Sequence, residues 1–291
     1  MTEFRLHRFD RHLVERVRAF TGRIERVYSR AAVVASGDGG SSLVFQRSPG
    51  ALVPCGMEVP WERLPLRTGL VVTQAGRLVR AGGLVLKLTG SGRSLRADAP
   101  GWSADGFGRR LAALRLPERT RTLLGLRRSN RRQEDLVAAA AGPGLRRLVE
   151  RLLEGVTGTE SYRGLVGSLA GLGPGSTPTG DDLLSGVCAL AWRLSSAGLL
   201  SPAGLEGFTA TLGELPPDAT TPTGSEMLAH AARGAFFETL LGFVEALGDG
   251  TSDEGIDAAT GRLERTGGKS GCDMLAGVVA LAGAFVQGER A

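Results

Sequence analysis

The chain has 291 residues, enough for one large domain or two smaller ones, and 42% of them are apolar, which is ample for a buried core and excludes wholesale disorder. Its formal charge of +5 is carried almost wholly by arginine, since Lys87 and Lys269 are the only lysines; this Arg, Gly and Ala bias matches a GC-rich genome and makes basicity a poor argument for nucleic acid. Cys55, Cys188 and Cys272 are odd in number and far apart, and His7, His12 and His230 lack ligand spacing, which excludes a zinc motif and a disulfide framework.

The N-terminus, "MTEFRLHRFDRHLVERVRAF", is charged throughout and is no secretory signal, so a cytoplasmic protein is expected. Short β-rich runs follow: "GRIERVYS" from residue 22, "AAVVAS" from 31 and "SSLVFQ" from 41, the last two joined by the turn signal "GDGG" at 37–40. "GLVVTQ", "GRLVRA" and "GLVLKL" continue the pattern between residues 69 and 88, separated by Gly-containing turns. Strands at this spacing predict an antiparallel sheet or small barrel.

Beyond a composition shift at Gly92 to Gly101, apolar residues recur at three- and four-residue intervals. "DGFGRRLAALRL", "QEDLVAAAAG", "GLRRLVERLLEGV", "GLEGFTATLGEL" and "AFFETLLGFVEAL" all read as helices. The longest apolar run, Met274 to Phe285, is too short to span a bilayer and predicts a buried helix, with no membrane partner. The expected class is therefore α+β: a β-rich N-terminal sheet or small barrel over 1–100, then a mostly helical body over 101–291.

Within that body one pattern occurs three times. Thr179-Gly180-Asp181-Asp182-Leu183-Leu184 returns as Thr223-Gly224-Ser225-Glu226-Met227-Leu228 and as Ser270-Gly271-Cys272-Asp273-Met274-Leu275. A hydroxyl followed three residues later by an acid is the signature of a capping box, in which each side chain satisfies a free amide at a helix start. Thr179 with Asp182, Thr223 with Glu226 and Ser270 with Asp273 all fit, each cap contributing about 1 kcal/mol.

Capping leaves a surplus unexplained. It requires neither "GLGPGS" ahead of the first copy, nor Asp181 beside Asp182, nor Lys269 just before the third copy. Glycines that let backbone approach a ligand, followed by a helix start with free amides, form an anion site. The stretch is no Walker A loop, because the Gly-Lys-Ser/Thr ending is missing, and no dinucleotide fingerprint, because the spacing differs and no strand precedes it.

"GLGPGSTPTGDDLLSG" resembles the signature of the AllH-type family, in which a Gly-x-Gly-x-Gly stretch runs into Thr-Pro-x-Gly-Asp-Asp-x-Leu-x-Gly. "GGKSGCDMLAG" at 267–277 is similar to the family's second Ser-Gly-x-Asp block. Two departures are Ser176, where the family usually carries leucine, and the middle block "TTPTGSEMLAHAARG", which matches loosely. The resemblance implies a subunit of an oxamate carbamoyltransferase-type complex of allantoin (purine) catabolism, moving a carbamoyl group between oxalurate and phosphate or acting on a related small anionic amide. It also implies further subunits as partners, so a non-catalytic scaffold or regulatory subunit is the alternative.

Such chemistry needs an anion site, a donor for the carbonyl oxyanion and a group that orients a poor amide nucleophile. Asp181, Asp182 and Lys269 are the candidate catalytic residues, with Asp181 and Asp182 also candidate ligands for an Mg²⁺ cofactor. Gly173, Gly175, Ser176, Thr177, Thr179, Gly180, Ser270, Gly271 and Asp273 are the candidate substrate-binding residues. Cys272 at a helix start would have a stabilised thiolate, though no histidine lies near it in sequence. A third class, a nucleic-acid binder, rests on Arg127, Arg128, Arg131 and Arg132, but Glu134 and Asp135 follow at once and no aromatic residue lies nearby. A solvated helix start is the better reading of that cluster.

Overall fold

A computed structural model of the chain describes residues 2–15, 17, 19–36, 42–97, 102–248 and 250–288. The predicted turn at 37–40 lies outside the described residues. The chain divides into two compact units, Met1–Leu95 and Arg96–Ala291.

The first unit is built from eight strands: β1 (Thr2–Leu6), β2 (Ala19–Val27), β3 (Ala31–Ser36), β4 (Ser42–Arg47), β5 (Gly56–Val59), β6 (Val71–Ala75), β7 (Leu78–Ala81) and β8 (Leu84–Leu88), with a single helical turn, α1 (His12–Glu15), after β1. They form one sheet in the order β1-β8-β7-β6-β2-β3-β4-β5. β1 runs parallel to β8 and β4 parallel to β5, while the other neighbours are antiparallel. The two ends of the sheet approach each other through a bridge between Phe9 and Met57, backed by Asp10 N–H donating to Gly56 O at 2.8 Å. The sheet is thus barrel-like and nearly closed, an arrangement that leaves little unpaired edge.

Alternation fills its interior. In β2, Phe20 and Ile24 point inward while Ala19, Thr21, Arg23 and Glu25 face out, joining Leu43, Phe45, Met57, Val72, Val79 and Leu86 in one core. The β7–β8 hairpin turns on Gly82-Gly83, both at positive φ (55° and 81°), the conformation a two-residue turn needs. Two strands escape sequence reading. The charged face of β1 hides its period, and β5 is four residues long and starts on glycine.

The second unit is helical: α2 (Phe107–Ala113), α3 (Glu118–Leu123), α4 (Arg132–Leu153), α5 (Glu160–Leu169), α6 (Thr179–Ser196), α7 (Pro202–Gly213), α8 (Pro222–Ala232), α9 (Glu238–Leu247), α10 (Asp253–Glu264) and α11 (Ser270–Gly288). Sequence periodicity predicts separate helices on either side of Pro143, whereas α4 runs through it. The buried stripe Ala141, Leu145, Leu148, Val149 and Leu152 is continuous across the proline, and that burial outweighs one lost backbone hydrogen bond. Gly144 sits where a Cβ would lie 2.9 Å from Ser168 Oγ, so α5 packs closely there.

α6 and α11 are the centre of this unit, and both are buried on almost every side. α11 is long and apolar enough to cross a membrane; here its residues from Gly271 to Val278 are buried against the rest of the helical body. Glycine sets how α6 and α11 meet. A Cβ on Gly186 of α6 would overlap Met274 O of α11, and one on Gly277 of α11 would overlap Leu183 O of α6, both well inside the 3.0 Å that real Cβ atoms keep. Backbone therefore meets backbone.

Candidate functional site

The close crossing relates the first and third repeats by a pseudo-two-fold. Leu183 and Met274 are the fifth residues of their repeats, Gly186 and Gly277 the eighth, and each fifth residue faces the other repeat's eighth. The approaches to the two helices match as well. Leu172 N–H donates to Leu169 O and Gly180 N–H to Leu172 O; Thr266 N–H donates to Leu263 O and Gly271 N–H to Thr266 O. Gly180 then lies against Leu169 O and Gly271 against Leu263 O, where no side chain fits. The Gly-rich loop is what lengthens the first approach relative to the second.

This geometry overturns the capping boxes. The residue that caps α6 is Pro178, whose carbonyl accepts from Asp181 N–H (3.0 Å) and Asp182 N–H (3.1 Å), and no side chain caps the helix. In α8 the cap is Thr221, accepting from Gly224 N–H at 3.0 Å, not Thr223. In α11 Asp273 N–H donates to Lys269 O at 3.1 Å. The influence of the hydroxyls crosses between helices instead: Thr179 of α6 lowers the Asp273 carboxyl of α11, and Ser270 of α11 lowers the Asp182 carboxyl of α6.

The pseudo-symmetry breaks at one residue, Arg119. It lies on α3, which Thr120 Oγ1 ties to Cys272 O at 2.9 Å. Arg119 donates through Nε and Nη2 to both oxygens of Asp273, the second at 2.7 Å, and through Nη2 to Thr179 Oγ1 at 3.0 Å. Its remaining Nη1 lies 3.3 Å from Glu134 Oε1. Asp182, in the equivalent place, has no such cation. It is 1% exposed, and neither of its oxygens has a partner at hydrogen-bond distance.

The electrostatics follow from this asymmetry. Burial, the neighbouring Asp273 and Asp181 lift the Asp182 carboxyl well above the usual range, and Ser270 and Arg119 only partly offset them. Burial also raises Asp273, but Arg119, Thr179 and Lys269 pull it back. Burial works against the charge of Arg119, yet Asp273 and Glu134 more than restore it. Burial likewise opposes the Glu134 carboxylate, and Ser129, Arg119, Lys269 and Arg131 together hold it below the ordinary value.

Arg119, Glu134, Lys269 and Asp273 line a cleft of about 180 Å³ together with Thr122, Leu123, Gln133, Val137, Pro174, Gly175, Thr177 and Thr179, and Asp182 is not part of its lining. Lys269 reaches Glu134 Oε1 at 3.6 Å, and the Thr177 and Ser270 hydroxyls bond each other at 2.8 Å on its edge. Of the residues expected from sequence, Gly175, Thr177, Thr179, Lys269 and Asp273 line it. Gly173 packs on Thr179, Gly180 and Gly271 pack on helix-end carbonyls, and Ser176 offers its carbonyl to Thr221.

Asp181 is buried elsewhere, accepting from Gly171 N–H at 2.8 Å and from the Thr220 hydroxyl. Asp181 and Asp182 thus face different neighbours, and among the described residues no group of three or more His, Cys, Asp or Glu is placed to hold a metal. The amides of Gly180, Asp181 and Asp182 are already bonded within the chain, as is Gly271 N–H, so these helix starts do not present them to an anion. The cations do. Cys272 is buried, and burial, Glu264 and Asp273 push its thiol up to about 11, opposite to the stabilised thiolate its position implies.

Arg119 and Glu134 were not singled out by sequence reasoning. Both lie outside the Gly/Thr/Asp motifs, in a stretch where Arg and Glu look like ordinary solvated helix ends.

Fold and site together define an α+β protein whose helical unit carries a charged cleft at the starts of two pseudo-symmetric central helices. Residues 169–282 match the family described as oxamate carbamoyltransferase subunit AllH, a stretch that includes α6, α8, Lys269 and most of α11. No curated protein and no solved structure matches the chain.

Proposed function

We propose that the helical unit binds a small anionic substrate in the Arg119–Lys269 cleft and serves carbamoyl transfer as one subunit of an oxamate carbamoyltransferase-type complex. The observation that carries this reading is the convergence of Arg119 Nη1 and Lys269 Nζ on one point of a small cleft edged by Thr177 and Thr179. A guanidinium fixed on one edge by a carboxylate presents its other edge in a set orientation, and an ammonium beside it adds a mobile charge. Together they fit a phosphate or a carboxylate, the groups that carbamoyl phosphate and oxamate would bring. Thr177 supplies a hydroxyl that can turn to the same ligand.

Calorimetric titration of the full chain with phosphate, carbamoyl phosphate, oxamate and oxalurate tests this. Saturable binding lost in Lys269→Ala is the expected result. Binding that survives both Lys269→Ala and Thr177→Val would move the substrate away from this cleft.

A further inference from the structure

Glu134 occupies the point on which both cations converge. Its Oε1 lies 3.3 Å from Arg119 Nη1, 3.6 Å from Lys269 Nζ and 3.5 Å from Arg131 Nη1. Its other oxygen, Oε2, accepts from Ser129 Oγ at 2.8 Å. The side chain is 15% exposed at the cleft wall, while Lys269 is 50% exposed and free to swing. Asp273 already takes the Nε/Nη2 edge of Arg119, so Glu134 neutralises what charge the cleft has left to offer. The cleft therefore holds two cations against two carboxylates. A ligand anion arriving there meets an occupied position, not an open one.

We propose that Glu134 is a resident counter-anion, a stand-in whose Oε1 is replaced between Arg119 Nη1 and Lys269 Nζ by a phosphate or carboxylate oxygen of the ligand. Glu134 thereby becomes a specificity-determining residue. Arg119 is held on both oxygens of Asp273, which is 2% exposed, whereas Glu134 sits in the first turn of α4 beside the half-exposed Lys269, so the exchange calls for side-chain movement at the cleft mouth. A weak or singly contacting anion does not repay the lost contacts to Glu134; a ligand that engages both cations does. The inference rests on the anion-binding reading and names the residue that tunes it.

The test is titration of wild type and Glu134→Gln with inorganic phosphate, carbamoyl phosphate and oxamate at fixed ionic strength. Removing the competing charge should tighten phosphate by up to about fivefold, the change a loss of one modest ion pair makes. Lys269→Ala in the Glu134→Gln background should cancel the gain. Should Glu134→Gln fold poorly, the ¹³C resonance of the Glu134 carboxylate is followed in wild type, where phosphate should shift it. Unchanged or weaker binding in Glu134→Gln, or a carboxylate resonance that ignores saturating ligand, overturns the stand-in role alone. No binding to either protein overturns the anion-binding reading and the stand-in role with it. The ligand arms separate the two chemistries: a gain for phosphate and carbamoyl phosphate but not oxamate assigns the position to phosphate, and the reverse assigns it to carboxylate.

Discussion

Gly277 of α11 and Leu183 of α6 lie backbone to backbone, so that a Cβ on the glycine would overlap the leucine carbonyl oxygen. Gly186 and Met274 repeat the contact on the other side of the pseudo-two-fold. This approach brings the two helix starts together, and with them Asp182, Asp273, Thr179 and Ser270.

Gly277→Ala and Gly186→Ala should each destabilise by about 1–3 kcal/mol or more, because the obstructing atom is backbone and cannot rotate away. Since the site is assembled by the same crossing, ligand affinity should fall alongside stability. Urea denaturation of both variants checks this. Near-wild-type midpoints would show that the helices separate easily and that the crossing does not fix the site.

Asp182 gives the protein a specific pH response. Its folded value is raised, so the folded state keeps a proton that the unfolded chain loses once pH passes the ordinary carboxylate range. Stability carried by that proton is complete at low pH and is lost as pH rises toward the folded value, with a slope of at most about 1.4 kcal/mol per pH unit for one group. Asp182→Asn mimics the neutral acid and lacks the slope, so it should gain on wild type as pH increases. Identical pH dependence in the two proteins would mean that Asp182 is ionised in the folded state.

Arg119 and Lys269 should separate cleanly. Arg119→Ala strands Asp273 as an unpaired buried charge, a change that costs about 3–5 kcal/mol. Arg119→Lys should recover part of that, since an ammonium cannot donate to both oxygens in the same fork. Lys269 is half-exposed, and Lys269→Ala should move stability by less than about 1 kcal/mol. Denaturation midpoints of the three variants decide it; equal losses for Arg119→Ala and Lys269→Ala would deny Arg119 its buried role.

Asp181 should behave as a structural residue. Asp181→Ala leaves Gly171 N–H and the Thr220 hydroxyl without their acceptor, at about 1–3 kcal/mol for the buried donors. A clear fall in melting temperature is therefore expected, where the sequence alone makes Asp181 a candidate catalytic residue. An unchanged melting temperature with lost activity would restore Asp181 to the chemistry.

Much of the architecture was legible from local pattern. Short β-rich runs between glycine turns marked β2 to β4 and β6 to β8, and three- and four-residue spacing marked α2, α4, α7 and α9, because a buried face repeats within one element. The proline at 143 misled, since one missing amide says nothing about the face that continues past it. Asp182 and Asp273 were found by their motif, but their partners were not.

The sequence by itself determined that Thr-Gly-x-Asp and Ser-Gly-x-Asp open two helices, that glycine lies seven residues past Thr179 and past Ser270, and that Lys269 precedes the second. Only the tertiary structure decided that Thr179 lies across the crossing by Asp273 and Ser270 by Asp182, that Arg119 neutralises Asp273 and leaves Asp182 without a cation, and that Glu134 lines the cleft beside Arg119 and Lys269. The physical reason is range. A capping box is a contact between residues three apart and can be read from spacing, whereas a meeting of side chains from two helices depends on which helices cross, and at what distance, which the glycines permit but do not name.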